Sequence, residues 1–128
     1  MDTRATIEGV LDKTYAARQR QDLDAVLACF HDAGRFRMNG GAAATTSRAE
    51  QRASLGGLFE TLTLMEFHQY CRVIDPPRAV VHWRGKFRSN KTGEAADADI
   101  LDIIEIKDGC IASLTTFFDT ALAGRLLA

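Results

Sequence analysis

Ile7, Val10, Leu11, Thr14 and Tyr15 recur three and four residues apart, the spacing that gathers side chains on one face of an α-helix. Arg4, Glu8, Lys13 and Arg18 fall elsewhere on that helix, and Asp2 or Thr3 supplies a side-chain oxygen to cap its start. Asp22 reads as a second cap, ahead of Leu23, Val26, Leu27 and Phe30 on the inner face of a short helix that stops near Asp32-Ala33-Gly34. Residues 35–39 then alternate polar and apolar, the period of a half-buried strand, before Gly40-Gly41 and the small residues 42–46 break regularity as a loop. Ser47-Arg48-Ala49-Glu50 matches a capping box, and Leu55, Leu58, Phe59 and Leu62 mark a third helix. Gly56-Gly57 inside it costs about 1 kcal/mol per glycine relative to alanine. Either a strand or ligand comes close there, or the helix is weak.

From Thr63 the texture changes. Residues 63–74, 79–88, 95–106 and 110–118 are β-rich runs, separated by the turn sequences Asp75-Pro76-Pro77, Asn90-Lys91-Thr92-Gly93 and Asp108-Gly109. Helices first and a meander of four strands afterwards predict an α+β fold, with helices on one face of a mainly antiparallel sheet.

Alternation within the run 79–88 assigns faces. Val81, Trp83, Gly85 and Phe87 alternate with His82, Arg84, Lys86 and Arg88, so one face is apolar and the other basic. Folding the next hairpin about Lys91-Thr92 lays Asp97 and Asp99 against that basic stripe and predicts the pairs Lys86 with Asp97 and Arg84 with Asp99. The same register puts Trp83, Ile100, Asp102 and Ile104 inside, with Asp102 the one ionisable group among its strand neighbours. Desolvation raises the pKa of such a carboxyl unless a hydrogen-bond donor or a cation compensates, which makes Asp102 a candidate catalytic acid/base. The last hairpin has two forms: a bulge at Gly109 sends Leu114, Thr116 and Phe118 inward, and a tight turn sends Ser113, Thr115 and Phe117 there. His31 reads as a solvated loop residue and His82 as outward, while His68 lies in a run whose alternation is too poor to fix its face.

Composition narrows the function classes. A chain of 128 residues with 46% apolar content is expected to form one domain over 1–128, and a net charge of −1 argues against nucleic acid or an anionic membrane as a partner. The N-terminus lacks a signal pattern and no apolar run reaches the roughly 20 residues of a membrane span, so the expected location is cytoplasmic. Cys29, Cys71 and Cys110 have no metal-ligand or disulfide spacing, and no phosphate loop or dinucleotide fingerprint is present; no metal and no cofactor are expected.

Gln21 to Asp32, Val80 to Gly85, Asp102 to Ile111 and Phe117-Phe118-Asp119 together resemble the nuclear transport factor 2-like superfamily, especially bacterial members similar to ketosteroid isomerase, SnoaL-type polyketide cyclases and limonene-epoxide hydrolase. The resemblance implies a four- to six-stranded mixed, mainly antiparallel sheet curved around three N-terminal helices, a cone-shaped α+β barrel with an internal pocket. It implies a ligand pocket of Tyr15, Phe36, Met38, Phe59, His68, Trp83, Ile100, Leu114, Thr116 and Phe118 around Asp102. In the ketosteroid isomerase register the oxyanion-binding phenol falls at Thr14, one place before Tyr15, and the base at Met38, while Asp102 matches that family's second acidic position. In the limonene-epoxide hydrolase register the polar positions fall at Phe36, Met38, Trp83, Gly85 and Thr116. The cyclases are the better match, since one pocket aspartate can serve as acid/base.

Three functions are consistent with these residues: an isomerase, cyclase or hydrolase acting on an apolar carbonyl compound, with Thr116, His68 or Tyr15 as hydrogen-bond donor; a non-catalytic binder of a small apolar molecule; or a dimeric accessory domain. Under each, a homodimer is expected through the outer sheet face, with Leu101, Ile103, Ile111 and one of Phe117 or Thr116.

Overall fold

The computed structural model describes residues 2–39 and 43–127, so the part of the expected loop on 40–42 lies outside the described residues. Among the described residues nine elements are arranged in the order α1 (Arg4–Gln19), α2 (Leu23–Ala28), β1 (Phe30–Met38), α3 (Arg48–Thr61), β2 (Leu62–Asp75), β3 (Arg78–Ser89), β4 (Ala95–Lys107), β5 (Cys110–Phe117) and α4 (Thr120–Leu127). The five strands form one mixed sheet in the order β1-β5-β4-β3-β2, antiparallel except where β1 runs parallel to β5. The architecture is α+β, as expected. One expected feature is corrected: β1 and β2 are the two edges of an open sheet, so no closed barrel forms.

The predicted caps are in place. Thr3, Asp22 and Ser47 each accept a backbone N–H from three residues ahead, at 3.1, 3.1 and 3.2 Å. The Glu50 carboxylate reaches back one residue beyond Ser47, to the N–H and hydroxyl of Thr46. The stripe of α1 is buried as Ile7, Leu11 and Tyr15, in one core with Trp83, Ile104 and Ile106 of the sheet.

The second helix ends earlier than its pattern suggests, at Ala28, and Phe30 already belongs to β1. That strand breaks register between Phe30 and Arg35, and α3 fills the gap. The buried Gln51 amide donates to the carbonyls of His31 and Gly34, and the Arg48 guanidinium to those of Leu27 and Phe30. Buried backbone carbonyls left out of a ladder need such donors. A Cβ on Gly34 would stand 2.9 Å from the carbonyl oxygens of both His31 and Ile111, so the close approach of β1 to β5 depends on glycine there.

Both predicted β3–β4 partners are opposite one another, Arg84 with Asp99 and Lys86 with Asp97. The close contacts nevertheless run diagonally, an ion pair from Arg84 to Asp97 at 2.7 Å and the His82 ring 3.9 Å from Asp99, because a long side chain reaches the neighbouring pair across the twisted ladder.

The β4–β5 hairpin combines the two forms left open. Asp108 and Gly109 both have positive φ, which makes a tight two-residue turn, and the bulge comes later, between Ile111 and Ser113. Ile111 therefore pairs with Ile106 and is fully buried, while Leu114 and Thr116 pair with Ile104 and Asp102 on the inner face. The expectation that Ile111 belongs to the outer face is thereby overturned.

Poor alternation in β2 has the same physical origin. Register shifts at Met65 and Tyr70 each insert a residue and switch the parity of the positions after it. Leu64, Phe67 and Gln69 pair with the inward Phe87, Gly85 and Trp83, whereas His68 pairs with the outward Arg84.

A fourth helix, which the pattern of residues did not lead us to expect, closes the described chain. Asp119 Oδ1 accepts the N–H groups of Ala121 and Leu122, and Leu126 enters the core. Among the described residues no helix is long and apolar enough to cross a membrane.

Candidate functional site

Asp102 lies on β4 between Ile100 and Ile104 and is 4% exposed. Its Oδ2 accepts the Tyr15 hydroxyl at 2.5 Å and the Trp83 indole N–H at 2.8 Å. The donors that an inward carboxylate requires are thus supplied from α1 and β3. Burial, followed by the charge of Asp102 and the hydrogen bond to it, pushes the Tyr15 phenol well above its ordinary pKa, so it stays a neutral donor.

Phe67 of β2 completes an aromatic cluster, its ring 5.6 Å from Tyr15 and 5.0 Å from Trp83. Gly85 leaves room for the neighbouring rings: a Cβ there would come within 3 Å of both Phe87 and Trp83. Thr14, where the isomerase register places a phenol, instead turns its hydroxyl to the Val10 carbonyl at 2.7 Å, and the neighbouring Tyr15 reaches the carboxylate.

Arg18 is the main correction to the pattern of α1. Expected outside the apolar stripe, it lies three residues from Tyr15, four from Thr14 and seven from Leu11, and so continues that stripe inward. The residue as a whole is half-buried. Its guanidinium carbon sits 5.5 Å from the centre of the Phe59 ring and 5.8 Å from that of Trp83. Burial lowers its pKa from the ordinary value, and the nearby Asp102 and Tyr15 oppose that shift.

Three small voids converge on Arg18. The largest, about 60 Å³, is bounded by Met38, Leu58, Phe87, Ile100, Thr116, Phe118 and the inner side of α4, including Leu122 and Leu126. A second of about 20 Å³ touches Thr14, Tyr15, Phe36, Asp102, Leu114 and Thr116. A third of about 10 Å³ reaches Gln21, Phe59 and Leu64. The first is smaller than the roughly 150 Å³ of an apolar cavity that holds a benzene ring. A wider depression of about 600 Å³, between α1, α2 and Gly109, opens on the outside and lacks the carboxylate.

Of the residues named from sequence, Tyr15, Phe36, Met38, Phe59, Ile100, Leu114, Thr116 and Phe118 border these voids, and Trp83 is buried beside Asp102. Phe118 lies just past β5, held by Asn39, whose side-chain amide bonds both its N–H and its carbonyl. His68 does not reach the interior. It is exposed on the outer face with its ring 5.0 Å from Tyr70, because the bulge at Met65 sets it opposite the outward Arg84, so the pocket place that the resemblance implied for it is corrected. Arg18, Phe67 and Leu126 are the inner residues that sequence reasoning missed. Among the described residues no three His, Cys, Asp or Glu side chains cluster as metal ligands.

This open five-stranded sheet with helices over an inner carboxylate defines a nuclear transport factor 2-like domain. Residues 11–114 match the SnoaL-like domain family, and the chain belongs to it. No curated protein matches it in sequence. Among solved structures it is similar to a nuclear transport factor 2-like protein of unknown function from Burkholderia pseudomallei, with 19% identity and a TM-score of 0.85 over 96% of this chain and 98% of that one. It is also similar to a candidate polyketide cyclase from Xanthomonas campestris pv. campestris, with 17% identity and a TM-score of 0.84 over 98% of each chain. A candidate isomerase from Bacillus subtilis aligns over 100% of both chains, with 16% identity and a TM-score of 0.82. At these identities the likeness is one of fold.

Proposed function

We propose that this SnoaL-like domain is a small-molecule enzyme of the isomerase or cyclase type, in which Asp102 moves a proton on an apolar carbonyl compound. The observation that carries the reading is the Asp102 carboxylate, held by Tyr15 and Trp83 through one oxygen at the edge of an apolar cavity. Among the described residues both hydrogen bonds fall on Oδ2, which leaves Oδ1 to meet a substrate proton. A positioned carboxylate in a water-poor site is the arrangement that general acid–base catalysis uses. The apolar walls formed by Met38, Phe87, Ile100 and Phe118 suit the body of such a substrate. Neighbours in fold described as a candidate cyclase and a candidate isomerase support the same reaction class.

The test is proton exchange. Enolisable apolar ketones in D₂O, followed by NMR, are expected to exchange their α-protons faster with the protein than without it. Asp102→Asn is expected to lower that rate by about 10²–10⁴-fold. Equal exchange by the wild-type protein and the Asp102→Asn variant would refute the mechanism.

We also propose that two copies associate through the outer sheet face and that the protein works in the cytoplasm. Val73, Val80, Ile103 and Thr115 form one row across β2 to β5, and Cys71, His82, Leu101 and Phe117 the next. Val73 is 59% exposed and Ile103 41%, which is apolar area that a second copy would cover.

A further inference from the structure

Arg18 is a half-buried cation whose guanidinium lies over the rings of Phe59 and Trp83. Among the described residues its guanidinium makes no salt bridge and no hydrogen bond. A guanidinium carries five N–H donors, and drawing it partly out of water without protein acceptors has a cost. Partial compensation comes from the faces of Phe59 and Trp83 and from the charge of Asp102, whose own hydrogen bonds go elsewhere. Position in the last turn of α1 also favours a cation, but an outward side chain would gain that as well. Neither contribution explains why one arginine lines all three voids.

We propose that Arg18 receives a carboxylate of the ligand, so that the molecule taken by this pocket is an apolar organic acid. The inference rests on the pocket described under Proposed function and deepens it: the substrate is a carbonyl compound that also carries a carboxylate. The planar fork of Arg18 matches the two oxygens of that group. The largest void and its apolar wall, including Met38, Ile100 and Leu126, take the hydrocarbon body, and the smaller void beside Asp102 and Thr116 takes the reacting carbon. The ligand adds one negative charge beside the Arg18 cation and the Asp102 carboxylate, and because that carboxylate is already bonded to two neutral donors, the guanidinium is the group that receives the incoming acid.

The experiment compares butanoate, hexanoate and octanoate with the neutral amides of the same lengths, read by the fluorescence of Trp83, the sole tryptophan, and by thermal shift. For the wild-type protein, at least one acid is expected to bind about tenfold or more tightly than its amide, the scale of a charge-assisted hydrogen bond. Arg18→Met and Arg18→Gln are expected to bring acid and amide within about twofold, and Arg18→Lys to restore part of the preference. Two neutral variants of different polarity guard against a folding defect in either, and the wild-type comparison needs no variant. Equal binding of acid and amide, a preference that survives both neutral variants, or no binding of any acid would overturn the proposal. Amide binding together with Asp102-dependent proton exchange would remove only the carboxylate anchor, whereas absence of all binding and all exchange would remove the catalytic reading with it.

Discussion

Tyr15 shows how a single residue can set the character of a site. Its hydroxyl donates to a buried carboxylate at 2.5 Å, and such a bond to a charged group is worth about 1.5–3 kcal/mol. The folded-state pKa of the phenol lies above that of the unfolded chain, near 10. Its contribution to stability is therefore complete below about pH 10 and is lost as pH rises through the folded-state value. Tyr15→Phe is expected to lower stability in denaturant titrations at neutral pH by that amount and to flatten the decline of stability above pH 10. A variant that declines as steeply as wild type would assign the alkaline loss to other groups. Thr14 teaches the complementary lesson: a one-residue offset along a helix turns a side chain by about 100°, and tertiary packing selected the second of two adjacent candidates.

At the scale of elements, α3 answers the question its two glycines raised. No strand comes near Gly56-Gly57: a Cβ on Gly56 would make an ordinary contact with Leu23, and one on Gly57 would meet nothing within 4 Å. The second glycine therefore carries only its entropic cost. Gly57→Ala is expected to stabilise the protein by about 1 kcal/mol, or raise its thermal midpoint by about 3–4 °C, measured by circular dichroism. No change, or a loss, would show that this position has a role in motion or binding. The fourth helix was missed for an identifiable reason. Asp119 as cap and Leu122 and Leu126 four apart were visible signals, but eight residues containing Gly124 fall below what periodicity resolves. Its burial comes from the sheet and helices it closes over, which are remote in sequence.

For the whole molecule, the outer face makes the clearest claim. Sedimentation at micromolar concentration is expected to show a species of twice the 14.1 kDa of the chain, and Ile103→Lys, which places a charge in the exposed row, to shift it toward the monomer. A wild-type protein that sediments only as a monomer would remove the proposed interface. Ile111, expected from sequence in that patch, cannot take part, since the bulge after it turns it into the core.

Local signals in the chain determined much of this. Caps at Thr3, Asp22 and Ser47, the stripe of α1, the alternation of β3 and β4 and the inward placement of Asp102 all depend on residues within a few positions of one another, where steric and hydrogen-bonding rules act directly. Tertiary structure alone decided the rest. The open edge between β1 and β2, the bulges that exclude His68 and bury Ile111, the seating of α4, and the meeting of Arg18 with Asp102 bring together residues far apart along the chain. A bulge reverses the parity of every residue after it, and a cation on an apolar stripe has no fixed direction until distant rings and a carboxylate surround it.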